Sequence, residues 1–358
     1  MFGNIYQGKK VLVTGHTGFK GSWLCAWLQK LGAQVCGVAL EPDQSPNHFS
    51  LIKNSCRCEI CDIVCYEDLL AIMQDFQPEI VFHLAAQPLV RQSYKTPRQT
   101  FETNLMGSVN VMESCRHTKS VRAVVVVTTD KCYANAETNQ PFREEDPMGG
   151  HDPYSASKGA CEIAAASYRA SFFAPEGRVA LATARAGNVI GGGDWAEDRL
   201  IPDLVRAAAA GKSCPVRFPH AVRPWQHVLE ALSGYLLLGE KLYVSGQDFA
   251  SAWNFGPVER DGRSVSDIID MASEEWGKII SVKDPAADHQ PHEASFLRLD
   301  CSKAVQQLHW TPVWNTAEAV KRTIQWYRLF YEKQYIATLD DLQDFENTAR
   351  QRGMEWAQ

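Results

Sequence analysis

The sequence lacks a long apolar run and an excess of positive charge. No stretch of its 358 residues approaches the roughly 18 consecutive apolar residues of a membrane-spanning helix. Residues 1–10 hold no apolar segment of signal-peptide length. The 36 basic residues stand against 42 acidic ones, which argues against a surface for nucleic acid or acidic membranes. We therefore expect a soluble cytoplasmic protein with no membrane and no nucleic-acid partner.

A regular disulfide framework is also missing. The 11 cysteines are scattered along the chain, and an odd, irregular set suits reduced thiols in a cytosolic protein. One dense group holds Cys56, Cys58, Cys61 and Cys65. It contains a single C-x-x-C, from Cys58 to Cys61, without the second pair of a zinc site. We predict that these thiols pack and bind no metal.

The chain does have the composition and rhythm of a large α/β protein. With 45% hydrophobic and 22% charged residues, it is an ordinary globular chain, long enough to bury about 75% of its unfolded surface. Up to about residue 190 short apolar runs alternate with helical periods, the signature of βαβ units. Predicted strands cover 11–14, 34–40, 80–84, 123–128 and 179–184. Predicted helices cover 22–31, 66–75, 96–117 and 154–173.

These patterns predict an α/β fold with a doubly wound Rossmann-type parallel sheet, because crossovers between parallel strands are right-handed. The sheet belongs to a first domain at 1–188, to which the chain returns around 220–257. After about residue 190 the alternation of strand and helix patterns becomes less regular. Residues 189–358 are predicted to be mainly a smaller C-terminal α/β substrate lobe. Aromatic residues at helical spacing near 317–335 indicate packing rather than a ligand site. They are Trp326, Tyr327, Phe330 and Tyr331.

A glycine-rich turn, G-H-T-G-F-K-G, follows the first predicted strand and opens the first helix. Its glycines let the backbone turn sharply and approach a pyrophosphate, which sits on the positive N-terminus of the helix.

The segment after the second predicted strand favours NAD over NADP. The 2′-phosphate of NADP needs a cation, whereas the free ribose hydroxyl of NAD needs a carboxylate such as Glu41. No lysine or arginine occurs in 33–50. Asp62 is a candidate for the adenine edge, and equally for an acid at a helix N-terminus. The predicted NAD contacts are Gly15, Thr17, Gly18, Phe19, Lys20, Gly21, Glu41, Asp62, Ile63, Leu84, Ala85, Ala86, Tyr154 and Lys158.

Polar residues also follow the predicted strand 123–128, where parallel strands deliver side chains to a ligand crevice. Thr129, Asp130 and Lys131 stand in a row there. The sequence therefore predicts that these three side chains reach the ligand crevice.

Tyr154 and Lys158 are catalytic candidates. They are four residues apart on a predicted helix, so they share a face, and the ammonium is expected to lower the pKa of the phenol. A tyrosinate near neutral pH can take a proton from a hydroxyl while hydride leaves the carbon. Tyr6 and Lys10 have the same spacing, but they lead into the first strand and are not helical neighbours.

These residues resemble the extended short-chain dehydrogenase/reductases, the family of nucleotide-sugar dehydratases and epimerases. The matching segments extend over nearly the whole chain. They are G-H-T-G-F-K-G at 15–21, H-L-A-A at 83–86, T-D at 129–130, Y-S-A-S-K at 154–158, R-A-G-N at 185–188, N-F-G-P at 254–257 and L-D-C-S-K at 299–303. The narrower resemblance to the 4,6-dehydratases of this family rests on H-T-G-F-K-G-S-W at 16–23, D-K at 130–131, G-G-G-D-W at 191–195 and R-P-W-Q-H-V at 223–228.

The resemblance implies a redox-neutral dehydration of a nucleotide sugar, with glucose on cytidine diphosphate (CDP) as the substrate. NAD oxidises C4, water leaves across C5 and C6, and the hydride returns to C6. The product serves deoxysugar and surface-polysaccharide synthesis, including lipopolysaccharide O-antigen. Relatives are typically homodimers through the helix that corresponds to the Tyr154 helix and its neighbour. A 4-epimerase, or a dehydratase of another nucleotide sugar, stays open as the alternative. Asp130 favours dehydration, because an epimerase has no leaving hydroxyl to protonate.

The resemblance also implies roles for single residues. Thr129 and Tyr154 contact the 4-hydroxyl of the sugar, and Lys158 contacts the nicotinamide ribose and the phenol. Asp130 is the acid that releases the 6-hydroxyl. Guanidinium groups suit the oxygens of a diphosphate. The implied substrate contacts are Gln87, Asn188, Arg199 and Arg223.

One position departs from the better-known thymidine-diphosphate dehydratases, which carry Asp-Glu where this chain has Asp130 and Lys131. In that branch the glutamate removes the C5 proton. A lysine has a reference pKa near 10.4 and must lose a proton before it can act as a base. Two interpretations stay open: Lys131 is a desolvated base, or it stabilises the enolate while Tyr133 or another group moves the proton.

Overall fold

The computed structural model describes residues 1–52, 55–135, 140–257, 262–278, 280–283 and 297–358. Within them, seven strands form the main sheet. They are β1 (Lys10–Thr14), β2 (Gln34–Ala39), β3 (Arg57–Ile60), β4 (Ile80–His83), β5 (Ala123–Val127), β6 (Ala180–Ala186) and β7 (Ala252–Phe255). Every pairing is parallel, in the order β7-β6-β5-β4-β1-β2-β3. The prediction of a doubly wound Rossmann-type sheet is confirmed.

The central strands are buried on both faces, as their apolar runs predict. In β4, Ile80 and Phe82 pack into one hydrophobic cluster, and Val81 packs into a second cluster on the opposite face. The alternation follows from the period of two along a strand. Helices must therefore cover both faces of the sheet.

Two long helices cover the first face and three cover the second. The helices of the first face are Phe19–Lys30 and Val228–Ser245. Those of the second face are Tyr66–Phe76, Gly107–His117 and Pro153–Tyr168. The predicted helices at 96–117 and 154–173 each contain a widened π turn, at Glu102–Met106 and at Arg169–Phe173.

From residue 189 the chain adds three two-stranded sheets and further helices in the described residues, besides the helix Val228–Ser245 and the strand β7 of the main sheet. Its β7 pairs with β6, so the chain does return to the sheet, while the domain boundaries stay a prediction. Trp326 and Tyr327 are fully buried, as packing residues should be. The other α-helices of the described residues are His48–Leu51, Val90–Lys95, Pro97–Phe101, Ala174–Glu176, Leu200–Ala209, Val265–Trp276, Ser302–Leu308, Thr316–Lys333 and Thr338–Gln351. Short strands lie at Val189–Ile190, Cys214–Pro215, Val222–Arg223, Gln226–His227, Arg263–Ser264 and Val282–Lys283.

The C-terminal helix Thr338–Gln351 packs against the helix Phe19–Lys30 rather than extending from the protein. The indole nitrogen of Trp27 donates a hydrogen bond of 3.0 Å to Glu346 Oε1.

Among the described residues, none of the helices combines the length and the apolar character needed to cross a bilayer.

Candidate active site

The strand order reverses between β1 and β4, and ligands bind in such sheets at the carboxyl ends of the strands beside that reversal. A cavity of about 670 Å³ opens at this place. It extends from the glycine-rich turn to the segment after 190, so the sheet and the later chain both line it. Every residue predicted for cofactor, catalysis or substrate lines this cavity, with the exception of Gln87.

Gln87 lies behind the wall of the cavity. Its side-chain amide donates to Thr100 Oγ1 at 3.0 Å, and its side-chain oxygen accepts from the backbone amide of Leu89 at 2.6 Å. Both ends of the amide are therefore engaged by the protein. Contact between Gln87 and the substrate stays a prediction.

The glycine-rich turn is built so closely that side chains would not fit. Gly15 has φ +76°, and a Cβ there would lie 2.7 Å from the backbone nitrogen of Ala85. A Cβ on Gly21 would lie 2.1 Å from the carbonyl oxygen of Gly15. Gly18 begins the helix Phe19–Lys30 without a side-chain cap, which leaves the first amides of that helix available for an anion. The turn fits the pyrophosphate of a dinucleotide.

The carboxyl ends of β1 and β4 are held together by a buried hydrogen-bonded chain. The Thr14 hydroxyl accepts from the amides of Leu84 and Ala85, each at 3.2 Å, and lies 2.6 Å from His83 Nδ1. His83 Nε2 lies 2.8 Å from Ser108 Oγ. Burial lowers the pKa of His83 to about 3, so the ring is neutral. This positioning role was not predicted, because His83 was noted only as part of H-L-A-A.

Asp130 is a buried carboxylate at the floor of the cavity, 2% exposed. Its Oδ1 accepts a hydrogen bond of 3.0 Å from Thr129, whereas Oδ2 has no partner among the described residues. Burial raises the pKa of Asp130, against the lowering effect of Lys131 and of the Thr129 hydrogen bond. A Cβ on Gly187 would approach Oδ2 to 3.1 Å. One oxygen of this carboxyl group is therefore engaged by Thr129, and the other has no hydrogen-bond partner in the described part of the chain.

Tyr154 and Lys158 lie on the first turns of the helix Pro153–Tyr168, which Asp152 caps through the amide of Ser155 at 2.9 Å. Both residues line the cavity. Burial raises the pKa of Tyr154 to about 12, although a hydrogen bond from Thr129 acts to lower it.

No hydrogen bond joins the Lys158 ammonium to the Tyr154 phenol among the described residues, and the predicted lowering of the phenol pKa stays a prediction. The Lys158 ammonium instead donates to the carbonyl oxygen of Val127 at 3.2 Å, and burial lowers its own pKa. Helical spacing places the two side chains on one face, as predicted. The spacing does not fix the position of the Lys158 ammonium, which here donates to the carbonyl oxygen of Val127, the last residue of β5.

Tyr133 lies outside the cavity. It is 1% exposed; its hydroxyl accepts from Arg185 Nη1 at 2.6 Å and donates to Asn254 Oδ1 at 2.7 Å. Burial raises its pKa, and Arg185 is tied further to Glu162 at 2.8 Å. Of the two candidates for the C5 proton, only Lys131 lines the cavity.

Guanidinium groups surround the outer part of the cavity. Arg199 pairs with Asp194 at 2.7 Å, and Arg223 is 8% exposed. Asp198 Oδ1 pairs with Arg91 Nη1 at 2.8 Å and with Arg217 Nη1 at 2.9 Å. Arg91 and Arg217 also line the cavity, and no motif in the sequence pointed to them.

The parallel sheet, the glycine-rich turn after β1 and the Tyr-x-x-x-Lys helix beside β5 define a short-chain dehydrogenase/reductase. The sequence profile of the GDP-mannose 4,6 dehydratase family matches residues 12–323. The chain belongs to that family, which confirms the family resemblance.

Individual relatives agree with this assignment. CDP-glucose 4,6-dehydratase of Salmonella typhimurium is 46% identical over 350 residues, which are 96% of this chain and 97% of that protein. The probable dTDP-glucose 4,6-dehydratase of Sinorhizobium fredii is 26% identical, over 89% of this chain and 92% of that protein.

Solved structures share the fold. The dTDP-glucose 4,6-dehydratase DesIV of Streptomyces venezuelae, solved with NAD, superposes with a TM-score of 0.77 at 22% identity, over 89% of this chain and 97% of that one. A UDP-galactose 4-epimerase superposes with a TM-score of 0.72 at 26% identity, over 88% of this chain and 97% of that one.

Proposed function

We propose that this chain dehydrates CDP-D-glucose to CDP-4-keto-6-deoxy-D-glucose, with NAD as a catalytic cofactor. The observation that carries the proposal is a single cavity in which the glycine-rich turn, the Tyr154–Lys158 pair and the buried acid Asp130 meet. The 46% identity with the Salmonella enzyme of that specificity, over 96% of this chain, supports CDP-glucose as the substrate.

The residues of the cavity fit NAD. Gly15, Gly18 and Gly21 allow the close turn before the helix Phe19–Lys30, whose first amides suit a pyrophosphate. Glu41 lies at the cavity wall after β2, where a ribose diol needs a carboxylate. When bound, NAD would supply a reversible hydride acceptor for C4 and C6 of the sugar and a positively charged nicotinamide ring. Lys158 holds the ribose next to that ring.

Tyr154 is the base for the 4-hydroxyl. Its pKa of about 12 makes it a phenol before the site is filled. A positive charge beside a phenol lowers its pKa, so filling the site favours the phenolate. Thr129 lies within hydrogen-bonding reach of that oxygen and orients the sugar hydroxyl. Removal of the 4-hydroxyl proton by Tyr154 then accompanies oxidation at C4.

Asp130 is the acid for the 6-hydroxyl. Burial raises its pKa, which keeps the proton available, and Oδ2 has no competing partner in the described part of the chain. Once C4 is a ketone, the C5 proton is acidic, and water can leave across C5 and C6. Lys131 is the residue of this chain assigned to C5. It either removes the C5 proton or stabilises the enolate.

Arg199, Arg223 and Asn188 are assigned to the diphosphate and nucleotide. All three line the same cavity, and planar guanidinium groups bind phosphate oxygens with two hydrogen bonds.

The product keeps its nucleotide and gains a keto group, which suits conversion into deoxysugars for surface polysaccharides, including O-antigen. We place the reaction in the cytoplasm, where free thiols such as the cysteines of this chain persist.

A screen of nucleotide sugars tests the proposed function. Purified enzyme with trace NAD is incubated with CDP-, dTDP-, UDP- and GDP-glucose, and products are analysed by mass spectrometry. We expect loss of one water from CDP-glucose, and no loss with the Tyr154→Phe variant. A C4 epimer without water loss would identify a 4-epimerase. Dehydration of a different nucleotide sugar alone would overturn the CDP assignment.

We also propose that the enzyme is a homodimer. Phe101, Met106 and Ile163 are large apolar residues that are 37%, 49% and 63% exposed on two neighbouring helical segments. Adjacent exposed apolar residues mark an interaction surface, and most homo-oligomers pair through the same patch on both subunits.

Ile163→Glu is expected to convert the dimer into a monomer, because two copies of a new carboxylate would face each other in an apolar interface. Light scattering after size-exclusion chromatography measures the mass. Val244→Glu is the matched control, since Val244 is 66% exposed on the helix Val228–Ser245. An unchanged dimer in Ile163→Glu would place the interface elsewhere.

A further inference from the structure

Three thiols meet outside the cavity, at the edge of the sheet. Cys25 lies in the helix Phe19–Lys30, Cys56 directly precedes β3, and Cys58 lies within β3. The Cys56 and Cys58 sulfurs are 3.3 Å apart, and Cys25 is hydrogen-bonded to Cys56 as well. The sequence drew attention to the C-x-x-C from Cys58 to Cys61, whereas the structure brings Cys56 and Cys58 together.

The contacts within the cluster lower the thiol pKa of Cys56 and raise the thiol pKa of its two neighbours. Hydrogen bonds from Cys25 and, more weakly, from Cys58 lower the pKa of Cys56 to about 6, against the effect of burial. The hydrogen bond to Cys56 holds the pKa of Cys25 well above its ordinary value. Partial burial and the same kind of hydrogen bond raise the pKa of Cys58. Because the thiolate is the nucleophile, Cys56 is the reactive member.

Exposure decides which neighbour can react with Cys56. Cys25 is fully buried, Cys56 is half-buried, and Cys58 is exposed. An oxidant can therefore reach Cys56, and Cys58 can approach it from the open side. In the described residues no three histidine, cysteine or acidic side chains are arranged to hold a metal, so thiol chemistry is favoured over metal binding.

We propose that Cys56 and Cys58 are an oxidisable dithiol, with Cys56 as the nucleophile toward hydrogen peroxide and Cys58 as the resolving thiol. The Cys56 thiolate attacks one peroxide oxygen, so that an S–O bond forms, the O–O bond breaks and hydroxide leaves; this hydroxide takes from solvent the proton that Cys56 had released and becomes the first water. Cys58 then attacks the resulting sulfenic acid; an S–S bond forms, the S–O bond breaks, and the Cys58 proton leaves with the hydroxide as water. Two thiols are oxidised, one peroxide is reduced, and two waters form in total.

Peptide mapping tests this pair directly. The full-length enzyme is treated with hydrogen peroxide, blocked with N-ethylmaleimide and digested with trypsin, which cuts after Lys53, Arg57 and Arg91. The cut after Arg57 separates the two cysteines. We expect peptides 54–57 and 58–91 joined by a bond that dithiothreitol breaks.

Matched variants identify the resolving thiol. Cys58→Ser should abolish the link and leave a Cys56 sulfenic acid that dimedone traps. Cys65→Ser, at another exposed cysteine of the same peptide, should keep the link. A link that survives in Cys58→Ser, or one from Cys56 to Cys25, would overturn the assignment of Cys58.

The pH dependence of alkylation tests the nucleophile. The rate of iodoacetamide addition to Cys56 should change by less than about 2-fold between roughly pH 7 and 9, because its thiolate is already formed, whereas a free thiol of pKa near 8.5 gains about 20-fold. Glutathione in the same tube is the reference. A Cys56 profile that follows glutathione would refute the activated thiolate.

Discussion

Tyr154→Phe is expected to lower turnover of CDP-glucose by about 10²–10⁴-fold, the usual contribution of a general base. Phenylalanine fills nearly the same buried space, so the fold and the cavity should persist. Only the oxygen that takes the 4-hydroxyl proton is lost. Initial rates of water loss, measured by mass spectrometry at saturating substrate, give the effect.

Tyr335→Phe is the control for this prediction. Tyr335 is 48% exposed, and its hydroxyl contacts Asp340 at 2.6 Å, outside the cavity. This variant should keep the rate of the unmodified enzyme. A Tyr154→Phe enzyme with nearly full activity would remove Tyr154 from its role as the base.

Asp130→Asn is expected to separate the two halves of the reaction. Oxidation at C4 needs Tyr154, Lys158 and NAD, but no acid at C6, whereas the 6-hydroxyl leaves poorly without a proton donor. Asparagine keeps the shape and can hydrogen-bond, yet it cannot donate a carboxylic proton. Substrate should therefore produce lasting reduced-nicotinamide absorbance while water loss slows by about 10²-fold or more.

The matched control for Asp130→Asn is Asp270→Asn, at an exposed position of the helix Val265–Trp276. It should show neither the absorbance nor the slower elimination. If Asp130→Asn binds substrate but neither reduces NAD nor releases water, Asp130 shapes the site for the first step, and its role as the leaving-group acid is wrong.

The sheet could be predicted from the sequence wherever strands are apolar and flanked by clear turns. The run A-V-V-V-V of β5 is buried throughout, and its period and composition point only to a central strand. The edge strand β3 was missed because its residues are exposed or half-buried, so no apolar run marks it. The helix Val228–Ser245 is buried on most of its sides, which erases the one-sided pattern that identifies a helix.

The residues that form the site could be predicted from the sequence. Their pKa values and their charged or hydrogen-bonded partners could not. Strand ends and helix starts converge in a doubly wound sheet, so Thr129, Asp130 and Tyr154 were expected to meet. The pKa of Tyr154 was not predictable, because burial dominates it and burial depends on chain segments distant in sequence. The partners of Arg199 and Lys158 are likewise fixed by packing rather than by spacing.

Isotope transfer within one substrate molecule tests the central claim most directly, namely that one cavity carries out oxidation, elimination and reduction with a single cofactor. A mixture of CDP-glucose deuterated at C4 and unlabelled CDP-glucose carrying ¹³C in the sugar is converted by the enzyme. We expect the deuterium at C6 of the product, only in molecules without ¹³C. Deuterium in the ¹³C product, or its loss to solvent, would contradict the account.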